Sequence, residues 1–305
     1  MASTTGKGDD LSFDIQLNTE PEDRGYHRLN DGDEIQRPDV VDDICKGLLL
    51  QARIDRIVHG YETENGIPAT LVIFGFRFHG IDVNRRFRQA IITIMFRDEM
   101  KTTKADPEVI ALWPNGDFTL GEMTPVHVED TSGAEVGGNV GTTQGGSQAS
   151  LKWERKRSYE KSDRASLTGS IVLDTSVRQF GPNNAVRLTI NENSTATSGL
   201  VTEFRAAVLL RRKNDRDRFL AFVKLQAKAN FCYNSIRMLR DLSGKSPPND
   251  PVIFKPGVQY SRPTTSTRFM ESRLSENIDD GNLIAARLDD LAGVLATTIL
   301  ATSVM

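Results

Sequence analysis

The stretch Phe204-Arg205-Ala206-Ala207-Val208-Leu209-Leu210, followed by Lys213-Asn214-Asp215-Arg216-Asp217-Arg218 and then Phe219-Leu220-Ala221-Phe222-Val223-Lys224-Leu225-Gln226-Ala227-Lys228-Ala229, decides the fold class. From Phe219 the odd positions are apolar, and the later even positions are Lys224, Gln226, Lys228 and Asn230. A period of two over that length reads as a β-strand with one buried face. The run from Phe204 to Leu210 is a second strand, and the charged stretch between them reads as a solvated loop. The pair is expected to form a long antiparallel hairpin at the heart of an all-β domain.

Strand patterns continue upstream. Leu48, Leu50, Ala52 and Ile54 alternate with polar residues, and Glu64-Asn65-Gly66 marks a turn. Leu71-Val72-Ile73-Phe74 is apolar at every position, which suits a strand covered on both faces, and Ala90 to Phe96 is read as its partner. Arg85, Arg86 and Arg88 around Phe87 read as a solvated strand end rather than a phosphate grip. Val109 to Trp113 is extended, and Pro114-Asn115-Gly116-Asp117 has turn chemistry, because Pro presets φ and Asn-Gly tolerates positive φ. Further strands are expected at 167–173 and 186–190. Asp39-Val40-Val41-Asp42-Asp43-Ile44-Cys45, opened by Pro38, is read as a short helix.

The middle of the chain holds two alternating segments around a glycine-rich loop. Val128, Ala134, Val136 and Val140 fall on one parity of the first, and Ala149, Leu151 and Trp153 on one parity of the second. Small residues and glycines specify register weakly, so an edge-type hairpin is one reading. A membrane-inserting hairpin over 128–153 is the other, since a spanning strand needs about 9–11 alternating residues. No Gly-Lys-Ser/Thr follows these glycines, which excludes a nucleotide-binding loop there.

At the C-terminus the period changes. Ile284, Leu288, Leu291, Leu295 and Ile299 lie on one stripe at helical spacing, so an amphipathic helix is expected over 282–305. Residues 1–37 are polar and rich in Asp and Glu, and are expected to form a disordered tail. The first residues show no apolar signal region. Residues 260–281 read as a linker, leaving 38–259 as the antiparallel β domain.

Sites of chemistry are sparse in the sequence. The 305 residues carry a net charge of −3, with no global basic excess to attract nucleic acid. Cys45 and Cys232 stand alone, as do His27, His59, His79 and His127, without metal-type spacing. Asn193-Ser194-Thr195 fits a glycosylation sequon but is read as an ordinary turn. No catalytic residue, cofactor or metal site is assigned. An enzyme would need His59 or His79 brought against a carboxylate in space.

Four features in this order resemble an uncharacterised protein family of filamentous fungi: Pro107 to Gly116, the glycine-rich middle, Phe204 to Arg212, and Asn249-Asp250-Pro251-Val252-Ile253-Phe254. The resemblance spans about Leu48 to Phe254 and implies a cytoplasmic fungal protein, with no activity or site residues attached. The expectation is therefore an all-β, antiparallel sandwich-like domain with a disordered N-terminal tail and a C-terminal helix. Its expected role is a non-catalytic intracellular interaction protein, self-associating through strand edges and the stripe of Leu288 and Leu295. The alternative is a membrane-active, pore-forming protein that inserts the hairpin 128–153. A protein partner is expected first and a membrane second, and no small-molecule ligand is assigned.

Overall fold

The computed structural model describes residues 25–26, 28–32, 34–45, 47–64, 66–82, 84–101, 104–135, 152–230, 249–260 and 278–294, with backbone alone at 25–26, 45, 120–135, 152–163 and 294. In chain order the strands are β1 (Gly25–Tyr26), β2 (Asp39–Cys45), β3 (Leu48–Tyr61), β4 (Pro68–Gly80), β5 (Phe87–Asp98), β6 (Glu108–Trp113) and β7 (Gly116–Glu135). They continue as β8 (Lys152–Val172), β9 (Ala185–Asn191), β10 (Glu203–Arg211), β11 (Phe219–Ala229), β12 (Val252–Phe254) and β13 (Gly293–Val294). A four-residue helix, α1 (Leu288–Leu291), is the one α-helix among the described residues.

The strands form two antiparallel sheets. The first runs β1-β2-β3-β4-β10, with both β6 and β13 on the far side of β10. The second runs β12-β11-β5-β9-β8-β7. The all-β expectation holds, but two strand pairings read from the sequence do not. β10 and β11 are not a hairpin: β10 pairs with β4, β6 and β13, while β11 pairs with β5 and β12. Likewise β4 and β5 lie in opposite sheets. Alternation reveals which face of a strand is buried, but it does not name the neighbour that buries it.

The core lies between the sheets. Phe74, Phe76 and Phe204 from the first meet Phe96, Ile94 and Leu188 from the second, all fully buried. Phe76 and Phe204 stack at 5.1 Å between ring centroids. β4 and β10 also bury their outer faces: Leu71, Ile73, Ala207 and Leu209 pack beneath Leu283 and Leu291 of the C-terminal segment. That second apolar layer explains the unbroken hydrophobic run of both strands.

The C-terminal segment differs from the helix expected over 282–305. It makes a 3₁₀ turn at Leu283–Ala285, the single turn α1, and then the strand β13 against Phe204 and Arg205. Of the stripe, Leu291 is buried, Leu288 packs on the outer apolar layer and Ile284 is 56% exposed; Leu295 and Ile299 lie outside the described residues. Helical spacing places residues on one side only if the chain stays helical, and here Gly293 at φ +128 turns it into a strand. Asp39–Cys45, read as a helix, is also a strand, in a tight hairpin with β3 through Gly47 at φ +72. Its β-branched Val40, Val41 and Ile44 suit a pleated surface better than a seven-residue helix.

The polar N-terminal stretch is ordered closer to its start than expected. Arg37, 4% exposed, donates to Asp39 O, Asn30 Oδ1 and Asp250 O, and Arg28 N donates to Asn249 Oδ1 at 2.8 Å. These bonds tie residues 28–37 to the start of the β12 segment. Gly25 and Tyr26 form β1, while 1–24, 27 and 33 of the expected tail, and most of the linker 260–281, lie outside the described residues.

One buried charge cluster sits on the outer face of the first sheet. A register shift between Ile54 and Arg56 leaves Asp55 as the extra residue of a bulge in β3. Its two oxygens accept from Arg205 Nε at 2.7 Å and Arg53 Nε at 2.8 Å, and Arg53 also pairs with Glu203. Arg205 is 2% exposed and Asp55 5%. Gly75 lies beside them, and a methyl group there would sit 2.6 Å from Asp55 Oδ2. Removing one partner strands the other charge in a dry site, which is far more damaging than losing a surface pair. Asp55→Ala is therefore expected to destabilise the fold by about 3–5 kcal/mol in urea unfolding. A loss below about 1 kcal/mol, the scale of an exposed pair, would overturn this.

Candidate functional site

The feature that stands out from the sandwich is a two-stranded ribbon. β7 and β8 pair antiparallel from Gly116↔Gly169 out to Glu135↔Lys152. β9 supports β8 only over Ser166–Val172. Beyond Ser166 the two strands have only each other among the described residues. The unsupported length of β8, residues 152–165, is roughly 45 Å at the usual rise per residue.

The root of the ribbon is marked by a register shift. Leu120 opposes Ala165 and Thr124 opposes Asp163, so 121–123 on β7 face a single unpaired residue on β8. A bulge of this kind bends and twists the strand, and it sits where the ribbon leaves the sandwich. On the sandwich side, Trp113 and Phe118 meet edge to face at 5.3 Å, and Leu167 enters the core. The base of the ribbon is thus rooted in apolar packing.

The register places the sequence-chosen hairpin residues together. Ala134 is opposite Trp153 and Val128 opposite Tyr159, so even positions of β7 and odd positions of β8 share a face. The same face carries Asp130 opposite Arg157 and Ser132 opposite Arg155, so it is charged toward the root. Val136, Val140, Ala149 and Leu151 lie outside the described residues.

The other sequence candidates fall elsewhere. His59 joins Gln36 and Thr70 in a partly buried polar cluster. Its Nε2 lies 2.6 Å from Gln36 Oε1 and its Nδ1 2.9 Å from Thr70 Oγ1. Gln36 spends its amide nitrogen on Val258 O, so its oxygen accepts the Nε2 proton and Nδ1 accepts from Thr70. Neither partner is a carboxylate. Burial, reinforced by the nearby Arg212 charge, lowers the His59 pKa to about 4. In the basic cluster at the start of β5, Arg86 and Arg88 both donate to the buried Glu192. Asn193 accepts from the backbone N–H groups of Thr195 and Ala196, the turn expected of the sequon stretch. Among the described residues no group of three or more His, Cys, Asp or Glu is placed to hold a metal ion.

Arg212, which sequence reasoning passed over, organises the crossing from β10 to β11. It is 3% exposed and donates to the carbonyls of Asn214, Asp215, Gly60 and Ala69. Burial holds its pKa below the ordinary arginine value, partly offset by Asp215. An arginine at a strand end reads in sequence as surface charge, and only the loop folded around it reveals the buried role.

No family model and no curated protein matches this chain. Among solved structures it is similar to the Clostridium perfringens NetB toxin in the membrane-inserted form, at 8% identity and a TM-score of 0.27, covering 63% of this chain and 83% of that one. A superposition this loose carries no argument about function.

The His59 environment makes stability pH-dependent. The folded pKa near 4 lies below the ordinary 6.5, so the unfolded chain binds the proton first as pH falls. His59 thus contributes stability that is fully present above pH 6.5 and is lost between pH 6.5 and 4, up to about 3 kcal/mol. His59→Gln should flatten the change in unfolding free energy across that window, and an unchanged slope would overturn the assignment.

Proposed function

We propose that this protein self-associates through the β7–β8 ribbon and is membrane-active, inserting the ribbon tip as part of a pore. The observation that carries this reading is the ribbon itself, which leaves the sandwich with both outer edges unpaired among the described residues. A two-stranded ribbon is marginal in water, and unpaired edges recruit further strands. Strand addition by further copies satisfies those edges and closes a barrel without leaving new ones.

The tip has the right length and chemistry for lipid. Residues 136–151 contain no Asp, Glu, Lys or Arg. In the sequence, Ala134, Val136 and Val140 fall on one parity and Ala149, Leu151 and Trp153 on one parity, and 134–153 holds residues enough for two spans of about ten, the length that crosses a bilayer at a tilt. Trp153 stands at the boundary between this stretch and the charged root, where interfacial aromatics concentrate. Glu135 and Lys152 fall on the opposite parity, the side that faces a polar lumen.

The second reading, a non-catalytic interaction protein that assembles without lipid, shares the edges but not the tip. Dye release from liposomes of mixed neutral and anionic lipid separates the two. Wild-type protein at micromolar concentration should release the dye. Val136→Asp with Val140→Asp should cut release about tenfold or more, because a charge on the lipid face is expensive. No release by wild type, or equal release by the variant, would sink the membrane reading.

A further inference from the structure

The two strands of the ribbon are opposite in charge. β7 carries Asp117, Glu122, Glu129, Asp130 and Glu135 and no Lys or Arg. Over 152–165, β8 carries six Lys or Arg against Glu154, Glu160 and Asp163. One unpaired outer edge of the ribbon is therefore acidic and the other basic. A molecule presenting unlike edges has two ways to pair with its copy. Like edges can meet about a two-fold axis, acidic on acidic and basic on basic, or unlike edges can meet head to tail. The first opposes like charges along the whole contact, and the second opposes unlike ones.

Resting on the reading that the ribbon is the assembly surface, we infer that copies join head to tail, with β7 of one protomer against β8 of the next. The partner is a second copy of this chain, and the recognition is electrostatic. A two-fold contact would end at a dimer on each edge, whereas the head-to-tail contact repeats and closes into a ring when the rotation allows. The same complementarity acts inside each chain, where Asp130 opposes Arg157 and Glu135 opposes Lys152. Root charges therefore specify the pairing, and the uncharged tip is left to the bilayer.

The experiment uses the full chain and a charge-swapped chain. The swap combines Glu122→Lys, Glu129→Lys, Asp130→Lys and Glu135→Lys with Lys152→Glu, Arg155→Glu, Lys156→Glu, Arg157→Glu and Lys161→Glu. Opposite charges still face each other within each ribbon, and circular dichroism checks that the swapped chain folds. Oligomers are read by cross-linking on phosphatidylcholine vesicles, alone and in equimolar mixture with distinguishable tags. The expected result is that each chain assembles with itself, and that mixed oligomers fall at least about tenfold below the statistical share. Raising salt from 0.05 to 0.5 M, which shortens the screening length to a few ångströms, should weaken assembly of each chain. Mixed oligomers in preference to homo-oligomers, or assembly strengthened by salt, would overturn the head-to-tail pairing. No oligomers in any arm would overturn it too. Dye release recorded alongside separates the two ideas. Charge-selective oligomers without release leave this contact standing and sink the membrane reading. Release with preferentially mixed oligomers does the reverse.

Discussion

Face-to-face packing of the two sheets on Phe74, Phe76, Phe96 and Phe204 is the constraint on which the other features depend. It sets the inward face of β3, β4 and β10 against that of β5, β9 and β11, and it leaves β4 and β10 with a second apolar face to cover. The C-terminal segment is the cover. Its approach is close: a Cβ on Gly60 would lie 1.9 Å from Asp280 O, and Tyr61 N donates to that same carbonyl at 2.8 Å. Glycine at position 60 is what allows a backbone to lie on a backbone there.

Polar groups then determine how the chain moves between layers. Arg212 gathers four carbonyls around the crossing from β10 to β11, so the charged loop that follows is tethered at its base. Asp55, released by a bulge, neutralises two arginines over Gly75. The Arg53 guanidinium loses solvation by burial, yet Asp55 and Glu203 outweigh that loss and hold its pKa above the ordinary value. Charges in these positions restrict β3, β4 and β10 to one mutual register, since a slip would separate buried partners.

The ribbon departs from the habits of the rest of the molecule. Among the described residues the other edge strands are shorter: β6 has six residues, β12 three, β13 two and β1 two. β7 is twenty residues long and lies at the margin of its sheet. The long free edges of β7 and β8 thus offer more room for strand addition than the shorter edge strands do. The bulge at 121–123 separates the rooted part of that strand from the free part.

Much of this was legible in the residues. Alternation located strands at Leu48–Ile54 and Phe219–Ala229, the run Phe204–Leu210 read as another strand, and the apolar run Leu71–Phe74 announced a strand covered on both sides. The two alternating segments were legible within 128–153, whereas that Ala134 stands opposite Trp153 comes from the described register. The sequence by itself therefore determined strand content and which faces are buried, because side-chain period is a local property of the chain. Only the tertiary structure decided the partners. β10 and β11 are neighbours in sequence but lie in opposite sheets, and the stripe from Ile284 to Leu291 follows a turn, a single helical turn and a strand rather than one helix. Pairing and layer depend on what the rest of the chain leaves uncovered, and no window of sequence carries that information.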